Sequence, residues 1–169
     1  TASGNSAYGY QAMDAITTGD NNTAMGFGAL GANTTGSPNV AVGRAALAAN
    51  TTAANNVAVG DRALTTNTTG YSNTALGDRA LTANTTAHSN TAVGADSLAA
   101  NTTGSGNTAV GLSALLANTT GARNTAIGYQ AYDASDTEND NIAIGYQAMT
   151  TNTAGGTGNI AVGNYALDA

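Results

Sequence analysis

The chain of 169 residues, 16.4 kDa, has the size of one domain or a run of small units. Ala (37), Thr (28), Gly (22) and Asn (21) fill 108 positions; charged residues make up only 8%, against about 25% in an average globular domain. With no Cys, no Lys, one His, a net charge of −6 and a pI near 4.1, the composition speaks against a disulfide scaffold, a zinc, haem or iron–sulfur centre, and a nucleic-acid interface built on clustered cations. No apolar run approaches the roughly 18 residues of a membrane helix, so no membrane insertion is expected. The chain opens at Thr1 without Met and without a signal peptide, which reads as a processed or excised segment.

The organising feature is an internal repeat. Asn-Thr-Ala-Val-Gly or a close variant begins at residues 5, 22, 39, 56, 73, 90, 107, 124, 141 and 159, in steps of 17 residues with a last step of 18. The extra residue falls in the stretch 154–158. Residues 1–169 therefore form a single repeat domain with the unit N-T-A-V-G-x-x-A-L-x-A-N-T-T-G-x-x. Seventeen residues are too few for a two-helix repeat, and the Gly and Asn-Thr-Thr content opposes long helices.

Taken in chain order, columns 1 to 4 of the unit predict a short strand. Column 5, always Gly, predicts a turn, a positive φ or a close backbone approach. Columns 7 to 10 predict a second strand or one short helical turn, and Asn-Thr-Thr-Gly returns the chain. The expected fold is all-β: a β-solenoid, or β-roll, of about ten coils. Copies would stack in register at ~4.8 Å, a rod roughly 45–50 Å long. Columns 1 and 12, both Asn, suit side-chain ladders along the stack.

Column 3 is always Ala and column 8 is Ala except for Ser97, while columns 4 and 9 are bulky. Neighbouring strand residues point to opposite faces, so both faces read as apolar. One reading places Ala inside the coil and leaves the Val/Leu face to be covered by sister chains. The bulky set is Val42, Leu47, Val59, Leu64, Leu76, Leu81, Val93, Leu98, Val110, Leu115, Ile127 and Ile144. The other reading places Val and Leu inside and Ala at corners. Thr1 enters at column 14 and Ala169 leaves at column 11, which suggests a piece of a longer fibre or copies that stack end to end.

Several strings invite a chemical reading. Gly26-Phe27-Gly28-Ala29-Leu30-Gly31 matches G-x-G-x-x-G, which means nucleotide binding only between a strand and a helix. His88, beside Ser89, would need an oriented base and a third group to act in catalysis. Asp133, Asp136, Glu138 and Asp140 crowd the loop of the eighth unit; they are a candidate cation loop for opportunistic Ca²⁺, or a solvated acidic loop. Asp61-Arg62 and Asp78-Arg79 allow staggered pairs between rungs. The doublets Thr34/Thr35, Thr51/Thr52, Thr68/Thr69, Thr85/Thr86, Thr102/Thr103 and Thr119/Thr120 suggest an ice-binding array, though adjacent Thr residues on a strand face opposite ways. The six Asn-Thr-Thr triplets and Asn21-Asn22-Thr23 fit the N-glycan acceptor pattern and would decorate one stripe of the rod. Tyr10-Gln11, Tyr129-Gln130 and Tyr146-Gln147 suit contact with a glycan or a neighbouring subunit.

Strings such as Gly106-Asn107-Thr108-Ala109-Val110-Gly111 and Asn124-Thr125-Ala126-Ile127-Gly128-Tyr129-Gln130-Ala131 resemble the head repeats of trimeric autotransporter adhesins and, more closely, the Asn-Thr-Ala-Val-Gly arrays of bacterial and phage tail fibres. The resemblance covers essentially the whole chain. It implies an extracellular, trimeric, left-handed β-roll, used as an adhesive head or stiff shaft on a cell or virion surface. The expectation is a structural or adhesive fibre segment, without catalysis or cofactor. Its partners would be itself, as homotrimer or end-to-end polymer, and a surface glycan or receptor. A self-stacking extracellular filament and an ice-binding solenoid are the alternatives.

Overall fold

A computed structural model describes residues 1–134, 136–151 and 156–168. Part of the insertion expected at 154–158 lies outside these. Ten short strands follow one another in chain order: β1 (Ser6–Tyr8), β2 (Thr23–Met25), β3 (Asn39–Val42), β4 (Asn56–Val59), β5 (Thr74–Leu76), β6 (Thr91–Val93), β7 (Thr108–Val110), β8 (Thr125–Ile127), β9 (Ile142–Ile144) and β10 (Ile160–Val162). They form one parallel sheet in sequential order. Like columns pair with like: Ala41 with Ala58, Val42 with Val59, Thr91 with Thr108. The molecule is an all-β solenoid of about nine turns, with no helix among the described residues.

Column 5 ends each strand for two reasons that leave only Gly. Its φ lies between +128° and +140°, a region essentially closed to side chains. The next coil also leaves no room: a Cβ on Gly77 would sit 2.5 Å from the carbonyl oxygen of Gly94.

Columns 7 to 10 form neither the second strand nor the helical turn predicted. They are a series of tight turns. In the third coil the amides of Ala46, Ala48 and Asn50 donate to the carbonyls of Gly43, Ala45 and Leu47, at 3.4, 3.3 and 3.1 Å. Ala45 and Leu47 take φ of +56° and +51°, the left-handed value that type II turns require at their third residue. The same pair of columns is left-handed in Arg62 and Leu64, Arg79 and Leu81, Asp96 and Leu98, and Ser113 and Leu115. Each such residue costs roughly 1–2 kcal/mol. The cost is offset because these turns also hydrogen-bond from coil to coil: Leu47 N–H donates to Ala63 C=O at 3.0 Å, and Ala49 N–H to Thr65 C=O at 3.0 Å.

That geometry decides what fills the rod. In the true strand the alternation holds, so column 3 Ala points in and column 4 points out. In the turns columns 8 and 9 both point in. Ala41, Ala58, Ala75, Ala92, Ala109, Ala46, Ala63, Ala80 and Ala114 line the interior with Leu47, Leu64, Leu81, Leu98 and Leu115, all fully buried. The two sequence readings of the apolar columns are therefore each half corrected. Column 9 Leu shares the interior with Ala, whereas column 4 stays outside, with Val59 and Leu76 37% exposed and Ile127 39%.

Two buried Asn columns close the second to seventh coils. In the fourth coil, Asn56 Nδ2 and Asn67 Nδ2 both donate to Gly70 C=O, at 2.9 and 2.8 Å. Column 1 also links rungs through its oxygen, as Asn73 N–H donates to Asn56 Oδ1 at 3.0 Å. Column 12 does so amide to amide, Asn84 Nδ2 to Asn67 Oδ1 at 2.8 Å. The expected Asn ladders are present in both columns.

Gly77→Ala should destabilise the rod by at least about 2 kcal/mol, since it combines a forbidden φ with a backbone clash. Leu81→Ala should cost about 2–5 kcal/mol. Denaturant midpoints of purified variants check both; Ala at either position with an unchanged midpoint contradicts this packing.

Candidate functional site

With the interior filled by small side chains, any function rests on the surface, and the sheet's outer face is its most regular part. Column 4 runs down it as Tyr8, Met25, Val42, Val59, Leu76, Val93, Val110, Ile127, Ile144 and Val162. Column 2, two residues away on the same face, carries Thr74, Thr91, Thr108 and Thr125 between Val40, Val57 and Ile142, Ile160. Neither column contains a charge. A shallow pocket lies beside it, lined by Pro38, Val40 and Val57. The twelve bulky residues singled out from the sequence thus split. Leu47, Leu64, Leu81, Leu98 and Leu115 are core, while Val42, Val59, Leu76, Val93, Val110, Ile127 and Ile144 form the outward strip.

Three of the four arginines are spent on neighbours one coil away. Arg44 meets Asp61 at 2.8 Å. Arg79 grips Asp96 through two bonds of 2.8 and 2.7 Å, and Arg123 grips Asp140 at 2.6 and 2.8 Å; Arg62 lies 3.2 Å from Asp61 on its own rung. Hydrogen bonding to Arg123 holds the Asp140 carboxyl below its ordinary value despite some desolvation. Partial burial pushes Asp61 up, but bonds from Arg44 and Arg62 carry it lower overall. These are exposed pairs, screened by solvent; three Arg and three Asp balance along columns 6 and 7 on one side of the strand, while Arg123 and Asp140 lie at column 17 on the other.

The acidic loop is not a converging cluster. Asp140 faces Arg123. Asp136 Oδ1 accepts the Thr119 hydroxyl at 2.8 Å. Glu138 is buried and its Oε2 accepts the amides of Asp136 and Thr137 at 3.1 and 3.2 Å. Asp133 stands apart, its carboxyl pushed up mainly by burial. No group of three metal-ligating side chains forms among the described residues.

The other strings find structural places. Gly26 to Gly31 lie on a strand end and turns, with no helix N-terminus to cradle a phosphate. His88 stacks on Tyr71 at 4.7 Å, with Nδ1 3.3 Å from Ser89 Oγ. Tyr129 and Tyr146 stack at 5.1 Å, and Gln147 Nε2 donates to Gln130 Oε1 at 2.9 Å. Stacking along the axis spends ring faces on neighbouring rungs. In five of the six Thr doublets the first hydroxyl is also spent: Thr34, Thr68 and Thr102 donate to the carbonyls of Thr51, Thr85 and Thr119 at 3.0 Å, and Thr85 and Thr119 donate likewise one coil on. Only the second Thr is exposed, so each doublet offers one outward file.

Searches against protein-family models, curated proteins and solved structures returned no match.

A carboxyl with a depressed value contributes stability above its unfolded value of about 3.8 and loses it as pH falls through the lower folded value. Asp133 runs the other way: its raised value favours the folded state at low pH, and that advantage is lost as pH rises through it. Asp133→Asn should therefore raise the melting temperature at pH 7 and not at pH 3, while Asp140→Asn should lower it slightly at pH 7 only. Melting curves at the two pH values check the opposite signs.

Proposed function

We propose that this chain is a segment of an extracellular structural fibre, an adhesive head or tail-fibre shaft, in which several copies lie side by side. The observation that carries the reading is the uncharged outer strip of columns 2 and 4. Val, Leu and Ile repeat along it, half-exposed, beside an edge whose charges are already paired. Solvent-facing polar residues are what a one-sided sheet ordinarily carries there, and a continuous exposed apolar surface marks an association site.

Nine steps of ~4.8 Å and columns ~7 Å apart make a strip about 45 Å long and on the order of 10 Å wide. That falls short of the roughly 800 Å² per partner of a standard two-body interface. Side-by-side contact along the rod therefore draws on the columns flanking the strip as well. The motif resemblance to trimeric adhesin heads and tail fibres points the same way and supplies the number three. On this reading the work is mechanical: backbone ladders provide stiffness, the apolar strip joins chains, and the protein acts on a cell or virion surface through a glycan or receptor contact.

A second reading is favoured by one observation. Thr74, Thr91, Thr108 and Thr125 stand two residues from Leu76, Val93, Val110 and Ile127 on the same face. This rigid grid of hydroxyl, methyl and apolar groups without charge suits an ice surface. The two readings compete for one face.

Sedimentation equilibrium should give a trimer for the wild type, and Val93→Asp with Val110→Asp should give a monomer whose far-ultraviolet circular dichroism is unchanged. A wild-type monomer showing thermal hysteresis that the double variant lacks selects the ice reading. A monomer without hysteresis overturns both.

A further inference from the structure

We infer that N-glycosylation at the six Asn-Thr-Thr triplets and folding exclude one another, so that Asn21 is the one acceptor position in this chain where a glycan and the folded rod coexist.

The sequence contains seven acceptor triplets: Asn21-Asn22-Thr23 and the Asn-Thr-Thr triplets at residues 33, 50, 67, 84, 101 and 118. The fold divides them sharply. Asn33, Asn50, Asn67, Asn84, Asn101 and Asn118 are 0% exposed. Each Nδ2 donates to the column 15 carbonyl of its own coil: Asn33 to Gly36 at 2.9 Å, Asn50 to Ala53 at 3.1 Å, Asn67 to Gly70 at 2.8 Å, and Asn118 to Gly121 at 3.0 Å. The second N–H is spent as well wherever an Asn precedes at the same column, as in Asn84 to Asn67 Oδ1 at 2.8 Å and Asn101 to Asn84 Oδ1 at 3.1 Å. Asn21, by contrast, occupies column 17, where its side chain is exposed.

Glycosyl transfer forms a bond from Asn Nδ2 to the anomeric carbon of a lipid-diphosphate-linked sugar. The sugar–phosphate C–O bond breaks, the lipid diphosphate leaves, and the amide gives up one proton. The product retains a single N–H and carries a sugar ring on the nitrogen. At column 12 that ring would have to occupy the space of the next coil, only ~4.8 Å away. A buried carbonyl would also lose its donor, a cost of about 1–3 kcal/mol before any steric term. The acceptor hydroxyl of each triplet has no such constraint: Thr35, Thr52, Thr69, Thr86, Thr103 and Thr120 are exposed. Replacing these six by Val erases the six inner acceptor sites and leaves the Asn ladder intact.

The test secretes two chains through a lumen that glycosylates nascent protein: the wild type and the sextuple variant T35V, T52V, T69V, T86V, T103V, T120V. Each is separated by proteinase K into resistant and sensitive fractions, and glycans are mapped by mass spectrometry. The wild type should show glycans at column 12 in the sensitive fraction only, with loss of most of its resistant material. The sextuple variant should be recovered resistant, with its glycan at Asn21. Three results overturn the inference: a glycan on a column 12 Asn in resistant protein, wild type without glycan at column 12 in either fraction, or Asn21-glycosylated sextuple variant that is protease-sensitive.

Discussion

Everything in this molecule depends on each residue stacking upon the residue 17 positions away. The backbone bonds that hold β3 to β4 continue through the turns, from Leu47 N–H to Ala63 C=O and from Thr51 to Thr68. The coil length accordingly holds at 17 residues for eight steps, and the single extra residue of the last step falls in the stretch 154–158. A column accepts a residue only if its side chain tolerates a near copy of itself ~4.8 Å above and below. Ala and Leu do so by packing, Asn by passing its amide along, and Gly by leaving room. Charges do so at the edges, where Arg44 with Asp61, Arg79 with Asp96 and Arg123 with Asp140 pair from rung to rung, while Asp61 with Asp78 and Arg62 with Arg79 stand as like charges one rung apart.

The eighth coil shows how much this constraint permits. Tyr132 stands where other coils place Leu and remains fully buried. Its hydroxyl accepts from Asn141 Nδ2 at 2.6 Å, which gives a polar end to a side chain too long for the Leu slot. Glu138 replaces the usual Gly or Ala of column 15, yet its carbonyl still accepts Asn124 Nδ2 at 2.7 Å, as Gly121 does from Asn107 one coil earlier at 2.8 Å. Its carboxylate turns back onto the amides of Asp136 and Thr137. An acidic run that looks like a ligand cluster in the sequence is, in the fold, a local substitute for missing turn chemistry.

What the sequence made legible is the part that repeats by backbone necessity. The period, the strand at columns 1 to 4, the Gly at column 5 and the paired Asn columns all follow from comparing units of one chain. The turns at columns 7 to 10 were not legible. Left-handed φ at Arg62, Leu64, Arg79 and Leu81 contradicts local preference, and no spelling of Ala, Leu or Arg announces it. That single error of local geometry propagates to the candidate site. Strand alternation assigns columns 8 and 9 to opposite faces, whereas consecutive turns place both inside, so Leu64 and Leu81 leave the surface strip and Val59, Leu76 and Val93 remain on it. Stacking alone allows ion pairs between units, and the sequence points to Asp61-Arg62 against Asp78-Arg79; the fold instead pairs those arginines with Asp61 and Asp78 on their own rungs and makes its cross-rung pairs at Arg44 with Asp61, Arg79 with Asp96 and Arg123 with Asp140.

The same geometry limits where this molecule can act. The interior Ala, Leu and hydrogen-bonded Asn are fully buried, out of a ligand's reach, and ring faces such as those of Tyr129 and Tyr146 are turned toward one another. Chemistry that needs converging groups requires neighbouring columns to differ in depth or direction, and an in-register stack works against both. What such a stack does well is present one property identically along its length. Here the property is an uncharged ridge of Val, Leu and Ile beside a neutralised edge. In the fibre reading proposed above, its complement is a second copy of this chain, which carries the same axial repeat.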